Sequence, residues 1–134
     1  MRLLLAVIVC FISLIVQGQS FEEFVQQGGE LYQEKSYLES AKVYEKAFEM
    51  QEGGSSNYYN AACSWALAGD TTNSIKYLHL AAEKGWKNID HLKKDKDLAS
   101  LHSVKDWKSV VNKVQNNLNE YEKDFDKPLQ SQFE

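Results

Sequence analysis

Residues 58–70 read YYNAACSWALAGD, and 34 positions earlier residues 24–36 read FVQQGGELYQEKS. At that offset Phe24 lies over Tyr58, Gly28 over Ala62 and Leu31 over Trp65. The register continues downstream, with Ser40 over Ser74, Tyr44 over Leu78 and Ala47 over Ala81. Every pair keeps its size class: large, small, large, small, large, small. Separations of four and three keep side chains on one side of a helix, so each triplet marks one face. The small residues let two helices approach closely, and the large ones fill the space around the contact. The spacing predicts two helical hairpins of the same design.

On these residues the chain resembles the tetratricopeptide repeat family, whose unit is 34 residues long. The units run over residues 21–54 and 55–88. The stretches YNAACSWALAGD and GWKNIDHLKKDKDLASLHSVKDW resemble, more narrowly, the two-repeat end module of envelope proteins in Gram-negative bacteria. That module is sometimes appended to hydrolases and sometimes free-standing. The resemblance covers about residues 21–111 and implies a binding or scaffolding role, with no chemistry of its own.

Boundary signals agree with two hairpins. Ser20-Phe21-Glu22-Glu23 reads as a capping box, and Ser36-Tyr37-Leu38-Glu39 as a second one opening the next helix. Gly53-Gly54-Ser55-Ser56 breaks the chain before the third helix, Gly69-Asp70 turns it into the fourth, and Gly85 ends that one. No third repeat follows, because Lys96 falls where a small residue is required. Residues 88–95 and 97–102 read instead as short helices. Ser103-Val104-Lys105-Asp106 looks like the start of a long helix with an apolar stripe of Val104, Trp107, Val111, Val114, Leu118, Tyr121 and Phe125. The expected architecture is all-α: two hairpins, short helices and a long C-terminal capping helix, within one domain over 19–127 (cap 89–127). Residues 128–134, from Pro128 on, read as a flexible tail.

The chain opens with Met1-Arg2 and an almost wholly apolar run to Val16. That run is short for a membrane span, and Val16-Gln17-Gly18 suits a signal-peptidase site. Residues 1–18 therefore read as a secretory leader, which makes the mature chain exported, either periplasmic or secreted, with no membrane insertion after cleavage. The formal net charge of −4 offers no electrostatic attraction to nucleic acid. Cys10 leaves with the leader, so Cys63 has no internal disulfide partner.

No constellation suggests catalysis, a cofactor or a metal. Cys63 has Tyr59, Asn60, Ala66 and Leu67 as helical neighbours, none able to generate a thiolate, and reads as a small packing residue. His79, His91 and His102 lack metal-ligand spacing. Asp95 and Asp97 lack the glycine and third acid of a calcium loop and read as a helix end and the next cap.

What remains is recognition. In repeats of this kind the first helix of each pair lines a concave side, so the resemblance nominates Val25, Tyr32, Tyr59, Asn60, Ala66 and Leu67 for binding a protein or peptide segment; Tyr32, Tyr59 and Leu67 read equally well as packing against the terminal helix. Asn60 matches a residue that some family members use against peptide backbone. The lysines and arginine of the carboxylate-clamp type are missing from these helices, which argues against capture of an acidic C-terminus. Leu118, Tyr121 and Phe125 extend past the width of two hairpins and nominate a homodimer contact. The expected function is that of a non-catalytic adaptor or accessory subunit. The rivals are a homo-oligomeric structural module built on the C-terminal helix and, more weakly, a small thiol-dependent enzyme using Cys63.

Overall fold

The computed structural model describes residues 18–126. The expected leader, apart from Gly18, and the expected tail lie outside the described residues. The fold is all-α. Helices α1 (Phe21–Gln33) and α2 (Tyr37–Met50) form one hairpin, and α3 (Ser55–Leu67) and α4 (Thr71–Glu83) form the next. After them come α5 (Ile89–Lys94), a 3₁₀ helix (Lys96–Leu101) and α6 (Trp107–Asp126).

The offset seen in the sequence recurs in the backbone. Both α1 and α3 end in a Schellman motif: Ser36 N–H donates to Leu31 O and Asp70 N–H to Trp65 O, each at 2.9 Å. The inner bonds match too, from Lys35 to Tyr32 O and from Gly69 to Ala66 O, each at 3.0 Å. The motif needs a left-handed residue, and Gly69 (φ 86°) supplies it in the second hairpin. Lys35 takes the same position in the first at φ 63°, where its Cβ makes the conformation costly.

Inside each hairpin a serine hydroxyl closes the approach. Ser40 Oγ donates to Gly28 O at 2.6 Å, and Ser74 Oγ donates to Ala62 O at 2.7 Å. These serines are fully buried, as are Ala41, Ala47, Ala61 and Ala62. Ser40 also meets the buried Ser64 Oγ at 2.8 Å, which joins the two hairpins through a polar contact inside the core. Around it stands an aromatic column: Phe48 packs on Tyr58 at 4.6 Å and on Tyr77 at 5.5 Å.

The C-terminal half caps the second hairpin. Leu92, Leu98, Leu101 and Val110 are fully buried and Val114 nearly so, in one core with α3 and α4. Each such residue contributes about 1.5–3 kcal/mol relative to leaving it in water. Asn117 Nδ2 donates to Ala82 O (2.7 Å) and Trp86 O (2.8 Å), satisfying carbonyls at the end of α4. One side chain thus ties α6 to the turn beneath it.

Several local expectations are corrected. Ser20 and Glu23 form the full capping box, but Ser36 makes no side-chain cap bond. The α3 start is held from the other direction, by Gly54 N–H donating to Asn57 Oδ1 at 2.9 Å. Asp95, not Asp97, caps the 3₁₀ helix, accepting from Asp97 N–H at 3.0 Å. The long helix begins at Trp107, because residues 102–106 turn the chain first. Consequently Val110 and Val114 are its buried pair, while Val104, Trp107, Val111 and Leu118 are partly buried against the core.

Candidate functional site

The first helices of both hairpins and the C-terminal segment enclose a cavity of about 620 Å³. Tyr32 enters from α1, Tyr44 from α2, and Tyr59, Asn60 and Cys63 from α3; the turn after α4 adds Trp86. His91, Asp95 and Asp97 close the far side from α5 and the 3₁₀ helix, while the exposed Lys94 and Lys96 also contribute to the lining.

Two carboxylates dominate its polar side. Asp95 Oδ2 accepts from Tyr59 OH at 2.7 Å and from Cys63 Sγ at 3.7 Å, and Asp97 Oδ2 accepts from Tyr32 OH. His91 Nε2 lies 3.5 Å from Asp95 Oδ2. Among the described residues neither carboxylate has a lysine or arginine partner. Tyr59 stacks on Trp86 at 4.2 Å and 16°, giving the cavity an aromatic wall. The indole N–H groups of Trp65 and Trp86 are buried without a hydrogen-bond partner, and nothing in the structure explains either.

The arrangement keeps its acidic hydrogens in place. Burial first, and then the Asp97 contact, raises the Tyr32 phenol; burial and Asp95 do the same to Tyr59. Burial, with Asp95 and Asp97 adding to it, pushes the Cys63 thiol far above its usual range. A thiol held neutral and donating to a carboxylate is a poor nucleophile. The Cys63 sulfur and one oxygen from each aspartate lie within 4.8 Å of one another, the one such group among the described residues that could hold a metal ion. The sequence reading separated these residues; the fold brings them together. In the structure their hydrogen bonds are made within the cluster and to the two tyrosines.

This has a consequence for stability. The thiol binds its proton more tightly folded than unfolded, so its stabilisation is complete below the unfolded pKa of about 8.5. It is lost as pH rises beyond that value, by up to about 1.4 kcal/mol per unit. Urea denaturation at pH 7 and pH 9.5, below the range where the raised tyrosines add much, should therefore show a fall of about 1.4 kcal/mol. Cys63→Ser, which does not titrate there, should show a much flatter profile, and equal slopes would refute the assignment.

The nominated groove residues divide. Tyr32, Tyr59 and Asn60 line the cavity, and Asn60 is exposed. Val25, Ala66 and Leu67 do not line it. Ala66 was expected to face solvent but is only 5% exposed, and Tyr59, for which groove and packing readings were both open, is packed at 3%, because the C-terminal segment and Trp86 lie over α3. Leu118 packs partly into the chain's own core, whereas Tyr121 and Phe125 are exposed at 49% and 73%. Lys87 Nζ lies over the Tyr121 ring at 4.1 Å. Sequence reasoning missed Trp86, His91 and residues 94–97 as cavity residues, since none belongs to a repeat face. No family model, curated protein or solved structure matches the chain.

Proposed function

We propose that the chain is a non-catalytic, tetratricopeptide-like interaction module, exported by its leader, that holds a segment of a partner protein in this cavity. The observation that carries the reading is the position of Asn60. Its exposed amide stands at the cavity beside Tyr44, one turn from the buried serine contact between the hairpins. An amide offers both donors and an acceptor to a peptide backbone. A cavity of this size suits a short segment or side chain. The neutral, donating Cys63 supports binding over covalent chemistry.

Photo-cross-linking in the native host tests this. A benzophenone amino acid at Gln33, which lines the cavity, should give a discrete adduct; the same group at the exposed Lys46 should not. Asn60→Ala should lower the Gln33 adduct about tenfold, the worth of one or two hydrogen bonds. Equal capture at both positions, or none at Gln33, would count against the groove.

The exposed Tyr121 and Phe125 favour a second reading, a homodimer through the end of α6. Light scattering decides between one chain and two.

A further inference from the structure

Resting on the homodimer reading, we propose that two copies of the chain pair antiparallel through α6, each seating its Phe125 in a basic groove at the start of the other's helix. That groove is a second, smaller cavity of about 360 Å³, lined by Lys93, His102, Trp107, Lys108 and Val111. Trp107 packs against His102 at 4.7 Å, and Trp107 and Val111 are only partly buried against the chain's own core. The groove thus offers apolar surface together with two exposed lysines. None of the ion pairs among the described residues involves Lys93 or Lys108.

The matching surface lies at the other end of the same helix. α6 carries Lys108 and Lys113 and no acid before Glu120; from there to Asp126 it carries four acids and one lysine. The helix macrodipole favours the opposite order, with acids at the N-terminus and bases at the C-terminus. An antiparallel copy removes the conflict, because it sets each acidic end beside the other helix's N-terminus and its Lys108. Glu122 is exposed and enters none of the ion pairs among the described residues. Phe125 is the most exposed large apolar residue of those described, whereas Tyr121 already has the Lys87 ammonium over its ring.

Phe125 does not reach the groove of its own chain, since Trp107 lies 18 residues back on the same helix, about 27 Å away. A second copy brings it there. Lys108, Val111, Gln115, Leu118, Glu122 and Phe125 follow one another at steps of three and four, which keeps them along one edge of α6. A two-fold axis beside residues 115–118 sets Phe125 opposite Trp107 and Lys108, and Glu122 opposite Val111 and within reach of Lys108. The surface is therefore complementary to itself in both shape class and charge, and every contact occurs twice.

Sedimentation equilibrium of the intact protein, as processed by its host, tests the pairing. At about 0.1 mM in low salt the protein should be largely dimeric, as a small interface allows. Lys108→Glu and Glu122→Lys, both at exposed positions, should each raise the dimer dissociation constant about tenfold at an unchanged melting temperature. Mixing the two variants should restore the parent's dimer, because each chain then supplies the charge that the other needs on both sides of the axis. Phe125→Ala should weaken the dimer about tenfold as well. A dimer that both charge reversals and Phe125→Ala leave intact overturns this pairing and leaves the homodimer reading standing. So does a mixture that fails to re-form the dimer. Growth beyond two chains overturns the closed two-fold arrangement. A protein that stays monomeric at about 1 mM ends both the pairing and the homodimer reading, and leaves the groove to a different protein.

Discussion

Leu98→Ala should lower the unfolding free energy by about 2–5 kcal/mol in urea denaturation, the range for a leucine truncated in a packed core. Leu98 is fully buried, although it belongs to a short 3₁₀ helix that has little stability of its own. That helix stays in place because Leu98 and Leu101 are sunk into the core shared with α3 and α4. The same substitution should loosen the segment carrying Asp95 and Asp97, and so uncover Cys63. A thiol reagent should modify Cys63 in the folded variant faster than in the parent, by local opening. A loss below about 1 kcal/mol would show that the segment is anchored elsewhere.

Gly28→Val should cost about 2–3 kcal/mol, by overpacking rather than by a cavity. A Cβ at Gly28 would come within 2.9 Å of Tyr44 Cε2 and 3.0 Å of Cδ2, too close for a ring held on both sides. The second hairpin solves the same contact with Ala62 against Leu78, so bulk has moved from one helix to the other. A double-mutant cycle with Tyr44→Leu therefore checks the mechanism. The pair should be less destabilised than the sum of the single variants by about 1 kcal/mol or more. Strict additivity would mean that Tyr44 is not what excludes the larger side chain.

The hairpins were legible because their packing is local and copied. Gly28, Ser40, Ala62 and Ser74 state the close approaches in residue size alone, and the structure adds the hydroxyl-to-carbonyl bonds that size requires. The expected start of α6 at Ser103 was misplaced because a turn rich in capping residues resembles a helix start. The cavity was hardly legible at all. Tyr59 and Asp95 lie 36 residues apart, and the acidic segment belongs to no repeat, so no periodicity links them. For the same reason α3 alone left Tyr59 open between groove and packing: nothing in it announces that Trp86 will stack on the ring. Asn60 was found because it sits at a position defined within one helix.

The first hairpin differs from the second in one further respect. Gly28 is the only buried residue of α1, while α3 buries every position from Tyr58 to Ala66 except Asn60. Detaching α1 therefore exposes little apolar surface, and its amides are the natural first to exchange with solvent. Yet α1 carries Tyr32, the cavity's bond to Asp97. Anything held in the cavity must wait for, or resist, the fraying of that helix. Occupancy would then be read most sensitively in the exchange rates of residues 21–33, at the edge of the molecule and away from the carboxylates themselves.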